Sequence, residues 1–184
     1  MNLPLAQPME LDEFLLWERR QELCFEFDGI QPVAMTGGSV AHSVIATNVV
    51  RALDDRLTGP CRVFRGDLKI VVAGRVRYPD AVVTCAPVAD ETDIVPEPLI
   101  VFEVLSPGTA LVDRNVKAAE YHATPSIRRC VMLEQGRAEA ISLERSGAIW
   151  RETRLAGLDA ILVLPEVAVT VPLAELYRRV QGLG

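Results

Sequence analysis

Lysine is almost missing from this chain. Of 19 basic residues only Lys69 and Lys117 are lysines, leaving 17 arginines. With a net charge of −6 and a pI near 5.0, this argues against a broad basic face of the kind that grips nucleic acid by neutralising phosphates. The arginines fall in pairs (Arg19-Arg20, Arg128-Arg129, Arg178-Arg179) rather than along a stripe. Histidine occurs only twice and cysteine four times. Cys24, Cys61, Cys85 and Cys130 are scattered, without a C-x-x-C pair or nearby histidines, so the clustered spacing of a zinc site is lacking. Disulfide frameworks belong to small secreted chains. All four thiols are therefore expected to be reduced and mostly buried. No apolar run reaches the roughly 20 residues of a membrane helix. Met1 to Pro8 lacks the basic start and apolar stretch of a signal peptide. Cytoplasmic residence is the expectation, with no membrane partner.

What is present describes an ordinary globular chain. Its 184 residues are 49% hydrophobic and 24% charged, which favours one domain over residues 1–184 with a sizeable core. Leu11 to Arg20 has apolar residues at helical spacing. Leu23 to Phe27 alternates, Asp28-Gly29 marks a hairpin turn, and Gln31 to Met35 is the return strand. Ser39 is placed to cap a long amphipathic helix from Val40 to Leu57, closed by Gly59-Pro60. Strands follow at Cys61 to Phe64, Leu68 to Val72, Arg75 to Tyr78 and Asp80 to Cys85, then a loop from Ala86 to Pro98. Leu99 to Leu105 is apolar almost throughout and suits a strand covered on both faces. Ser106 to Thr109 turns into a helix from Ala110 to His122. Strands are expected at Arg129 to Leu133, Ala138 to Leu143 and Ile149 to Arg154, and a last helix from Pro172 to about Val180. No element is assigned between Arg154 and Pro172. The pattern predicts an α/β fold: a central mixed sheet flanked by the two longer helices, with additional β-hairpins.

Glu103 breaks that pattern. Leu99, Ile100, Val101, Phe102, Val104 and Leu105 surround it with apolar side chains. An uncompensated carboxylate there would cost several kcal/mol or take up a proton. Either an arginine partner or a bound cation must offset it. Asp80 begins the preceding strand after Pro79, one loop upstream, so neighbouring strands could bring both carboxylates to one ion. Hard divalent cations favour such oxygen ligands. Asp113, Lys117 and Tyr121 share one face of the next helix. That face is either solvated, or it turns Lys117 toward Glu103 to orient a water or offset charge developing on phosphate.

These residues resemble the PD-(D/E)XK nucleases and, within them, the Uma-two family of restriction-endonuclease-like proteins. The resemblance rests on Phe25-Glu26-Phe27-Asp28-Gly29, His42, Tyr78-Pro79-Asp80-Ala81-Val82-Val83 and Phe102-Glu103-Val104-Leu105-Ser106-Pro107-Gly108-Thr109, followed by Asp113, Lys117 and Tyr121. It implies a metal-dependent endonuclease that hydrolyses nucleic acid, DNA foremost, with Mg2+ or Mn2+ as cofactor. Asp80, Glu103 and the backbone carbonyl of Val104 would be the metal ligands. The superfamily lysine two residues after the acidic ligand is replaced by Leu105, and Lys117 is the candidate replacement. Glu26, His42, Asp67, Asp113 and Tyr121 are supporting candidates. Asp67-Leu68-Lys69 spells the Asp-x-Lys motif but precedes Pro79-Asp80, so Lys69 is read as an ordinary strand residue. His122 is expected to cap helix carbonyls. The alternative is a catalytically inactive nuclease fold that binds nucleic acid or protein. A homodimer is expected through the strands from Arg129 to Arg154.

Overall fold

The computed structural model describes residues 8–35, 37–106 and 110–183, the side chains of 110–114 excepted. The short helix α1 (Leu11–Glu18) leads into a hairpin of β1 (Phe25–Phe27) and β2 (Pro32–Ala34). Next comes the long helix α2 (Val40–Asp54), whose Ser39 cap accepts a hydrogen bond from the His42 amide. The strands β3 (Arg62–Arg65), β4 (Ile70–Val72), β5 (Arg75–Arg77), β6 (Ala81–Thr84) and β7 (Ile100–Leu105) follow. Helix α3 (Ala110–Ala123) then carries the chain to β8 (Arg129–Glu134), β9 (Glu139–Ser146) and β10 (Ile149–Ala156). A hairpin of β11 (Ile161–Leu164) and β12 (Val169–Pro172) and a four-residue helix α4 (Leu173–Leu176) complete it.

Six strands form the main sheet in the order β10-β9-β8-β7-β6-β3. All neighbours run antiparallel except β7 and β8. Parallel neighbours need a crossover, which α3 supplies. A second sheet, β2-β1-β5-β4, stands beside the first, and β11-β12 form a third. Alternation along β7 sends Ile100, Phe102 and Val104 into a core shared with Ile45, Val49 and Leu53 of α2. Val101 and Leu105 enter the opposite core, with Tyr121 of α3. Burying a large apolar side chain contributes about 1.5–3 kcal/mol, so both helices are held by their apolar faces. A smaller cluster stacks Phe14 of α1 on Phe27 of β1. Among the described residues, no helix is long and apolar enough to cross a membrane.

Several expectations need correction. The hairpin β11–β12 fills the stretch left unassigned, and the last helix ends at Leu176 instead of near Val180. Lys69 is not an ordinary strand residue. Its buried ammonium lies 2.6 Å from Glu18 and 2.8 Å from Asp93, tying α1 and the loop after β6 to the second sheet. Both oppositely charged partners are needed because a buried ammonium loses its hydration. His122 does not cap carbonyls: its ring stacks on Trp150 at 4.1 Å, and Arg145 donates to the His122 carbonyl at 2.7 Å.

The cysteines also depart from expectation. Cys61 and Cys85 are joined by a disulfide, Cys24 is exposed and only Cys130 is a buried thiol. The β3–β6 register explains the pairing. Arg62 opposes Thr84, so the next pair outward is Cys61 and Cys85, and directly opposed residues of antiparallel strands bring their Cβ atoms close. Thiol titration of the unreduced protein in denaturant should find two free thiols, from Cys24 and Cys130; a value of four would contradict the cross-link.

Candidate metal and phosphodiester site

The site gathers where β7 and β8 end and β6 begins. Ligand crevices commonly form beyond the carboxyl ends of parallel strands. The β6–β7 ladder pairs Ala81 with Phe102, Val82 with Val101 and Val83 with Ile100. Continuing that register by one step sets Asp80 opposite Glu103, on the sheet face that looks toward α3. The two carboxylates are thus cross-strand neighbours, although 23 positions separate them in the chain.

Glu103 is held by α3. Tyr121 donates its hydroxyl to Glu103 Oε1, and Lys117 Nζ stands 3.3 Å from Oε2 and 3.4 Å from Oε1. Those residues are one helical turn apart, which is why both reach the same carboxylate. The cation beside Glu103 is therefore Lys117 and not an arginine. Lys117 is shared, since Glu26 Oε1 lies 3.2 Å from it. Asp80 Oδ1 is 3.1 Å from His42 Nε2, while its Oδ2 accepts from the Val104 amide at 2.7 Å. His42 can fold back to this point because residue 38 is glycine: a Cβ there would come within 2.8 Å of the imidazole.

The electrostatics follow from this crowding. Burial pushes the Glu103 carboxyl up to about 7 from its ordinary 4.5; Lys117 and the Tyr121 hydrogen bond draw it down, while Asp80 and Glu26 push it further up. Burial disfavours the charge of Lys117, but Glu103 and Glu26 outweigh that and hold its ammonium above the ordinary value. Hydrogen bonding to Asp80 raises His42 above its ordinary value.

Behind the site lies a buried ion-pair chain that sequence reasoning missed. Arg77 of β5 forks onto Glu120 of α3, at 2.7 Å from Nε to Oε2 and 2.6 Å from Nη2 to Oε1. Its Nη1 also reaches Glu26 Oε2 at 3.3 Å. Glu26 accepts the Tyr78 amide as well. Glu26, Arg77 and Glu120 thereby fasten the second sheet to the helix that carries Lys117. The signal available was a carboxylate at Glu120 next to Tyr121, but its partner lies 43 positions away.

Asp80, Glu103, Lys117, Glu26 and His42 line one cleft of about 490 Å³, together with Ser39 and Gln135. Tyr121 reaches the cleft only through Glu103. Asp67 does not join: it sits exposed in the turn after β3, and Gly66 is the residue that lies against the Pro79–Asp80 backbone. The Asp113 side chain lies outside the described residues. Among the described residues, no group of three or more His, Cys, Asp or Glu side chains could hold a metal ion. Two opposed carboxylates nevertheless fit a hard divalent cation, which completes its shell with water and backbone oxygen. Glu103 Oε1 already has two protein partners, while Asp80 Oδ1, Asp80 Oδ2 and Glu103 Oε2 each have one and a second lone pair to offer.

This architecture is the restriction-endonuclease-like nuclease fold. A crystal structure described as a putative nuclease belonging to DUF820, from Anabaena variabilis, superimposes with a TM-score of 0.76 at 16% identity, covering 92% of this chain and 98% of that one. An uncharacterized Synechocystis protein is 35% identical over 132 residues, 70% of each chain. The family model for Uma2, described as putative restriction endonuclease, matches residues 11–174, and the chain belongs to that family.

Raising a carboxyl on folding means the folded chain holds its proton more tightly, so stability falls as pH climbs through the interval between the two values. In chelator, the unfolding free energy of the wild type should decline relative to Glu103→Gln between pH 4.5 and about 7, and run parallel to it outside that window. A constant difference across the range would show that Glu103 is not raised.

Proposed function

We propose that the chain is a divalent-metal-dependent endonuclease that hydrolyses phosphodiester bonds, with DNA as the first substrate class to test. The observation that carries this reading is the opposition of Asp80 and Glu103 in a cleft that also presents Lys117. In it, Asp80, Glu103 and the Val104 carbonyl would hold Mg2+ or Mn2+. Such an ion, when bound, would polarise the scissile phosphate and acidify a bound water. Lys117 favours the ionised form of Glu103 and places a positive charge beside the reacting phosphate. Tyr121 fixes the Glu103 carboxylate, Glu26 steadies Lys117, and His42 orients Asp80. Because Lys117 already holds Glu103, it takes the place that Leu105 vacates. Cytoplasmic residence, expected from the sequence, belongs to the same proposal.

A second reading is favoured by one observation: the Lys117 ammonium is shared between Glu103 and Glu26. In that reading the ion pairs are self-sufficient, no metal binds, and the fold serves as an inactive binding module. A homodimer remains part of the proposal. The edge strand β10, eight residues long, pairs only with β9 among the described residues, and sedimentation showing only monomer at micromolar concentration would remove the dimer.

Cleavage of plasmid and single-stranded DNA should require magnesium or manganese and be abolished in Asp80→Ala and Glu103→Ala. Lys117→Met should lower the rate by about 10²–10³-fold, the usual loss when a positioned charge is removed. Equal turnover in all four proteins, or none in the wild type with either metal, would favour the inactive module.

A further inference from the structure

The cleft that holds Asp80 and Glu103 is also lined by an apolar strip, Val33, Ala34 and Met35 of the β1–β2 hairpin. Val33 is 41% and Met35 43% exposed. Single exposed apolar side chains are ordinary, but neighbouring ones that line a concave site mark a binding surface. The strip adjoins the charged groups. Val33 opposes Glu26 in the β1–β2 register, and opposed residues of such a pair have Cβ atoms about 4.5–5.5 Å apart. Glu26 in turn lies 3.2 Å from the Lys117 ammonium.

The rest of the lining limits what can enter. None of the 17 arginines lines the cleft, and Lys117 and His42 are its basic side chains among the described residues. A protein that grips a duplex neutralises several backbone phosphates; this cleft offers one permanent positive charge. Depth points the same way. Glu103 is 8% exposed, so a phosphate that reaches it must descend with the nucleosides on either side. Paired and stacked bases hold a duplex as a broad cylinder. A cleft of about 490 Å³ has the size that encloses a small molecule. An unpaired nucleotide fits, and it presents a bare ring face, which apolar side chains and methionine sulfur contact favourably.

We infer that Val33, Ala34 and Met35 form a nucleobase subsite beside the Asp80–Glu103 pair, seating one unpaired base and directing the cleft to single strands or unstacked ends over continuous duplex. Cleavage of the strand so held rests on the proposed nuclease reading; the base subsite does not.

The test uses the full chain with labelled valine and methionine methyls, in chelator. The probe is a thymidine dinucleoside joined by an uncharged methylphosphonate, which the acidic cleft does not repel. Ring currents of a seated base should move the Val33 and Met35 methyl signals upfield in a saturable way. An analogue lacking both bases should leave them in place. Met35→Gln keeps the length of the side chain and makes it polar at an exposed position. It should melt within a few degrees of wild type and, followed through the Val33 methyls, bind the probe about tenfold more weakly. Val33→Thr, followed through the Met35 methyl, serves if the first variant fails to fold. Unmoved methyls, an equal response to the baseless analogue, or equal affinity in wild type and variant overturns the subsite. In magnesium, single-stranded DNA should be cut about tenfold faster than relaxed duplex of the same sequence, and equal rates overturn the strand preference. If the methyls shift but no DNA is cut with either metal, the nuclease reading falls and the subsite stands. If DNA is cut and the methyls stay put, the subsite falls and the nuclease reading stands.

Discussion

Asp80 and Glu103 face each other one step beyond the β6–β7 ladder, and the repulsion between them shapes what surrounds the cleft. Two carboxylates in adjacent strand positions disfavour each other's ionised form, and burial of Glu103 adds to the cost. The protein offsets this in part through Lys117 and the Tyr121 hydroxyl on one side and His42 on the other. Glu26 shares Lys117 and so limits how much of its charge Glu103 receives. The carboxyl still rests near 7. A second positive charge against this pair would relieve it, and the oxygen donors suit a hard cation.

The remaining architecture makes that arrangement rigid. Removing one member of a buried ion pair commonly costs about 3–5 kcal/mol, since its partner is left uncompensated. Arg77 and Glu120 are both nearly inaccessible and form a two-pronged pair, so β5 and α3 cannot separate cheaply. Lys117 is one turn before Tyr121 on α3, and Glu26 is next in line from Arg77. The geometry around Glu103 is therefore fixed from behind by a network that never touches Asp80. Lys69, Glu18 and Asp93 do the same for α1 and the loop after β6.

Much of this was legible in the chain because it depends on local periodicity. The 3.6-residue repeat gave α2, and an apolar run interrupted by a single acid gave β7 and the importance of Glu103. The spacing of Lys117 and Tyr121 placed both on the face that meets Glu103. What depends on sheet order was not legible. Arg77 belongs to a different sheet from β7, and its partner Glu120 is named by no spacing rule. Cys61 and Cys85 look unrelated until the β3–β6 register is known. The β11–β12 hairpin lacked a turn signal because Ala168, not glycine, adopts the left-handed conformation there, at φ 54°. Gln135 carries no motif, because its hydrogen-bond partner Ser39 lies 96 positions away in the chain. Asp67 was suggested by a literal motif whose turn points it to solvent.

The claim beneath the whole account is that the opposed acids share one divalent ion. Crystals soaked in manganese, with diffraction recorded at the metal's absorption edge, address it without reference to any substrate. A single anomalous peak within about 2.0–2.6 Å of carboxylate oxygens from both Asp80 and Glu103, typical distances for hard cations, is the expected result. Ordered side chains with Lys117 still on Glu103 and no anomalous signal between the acids would contradict it.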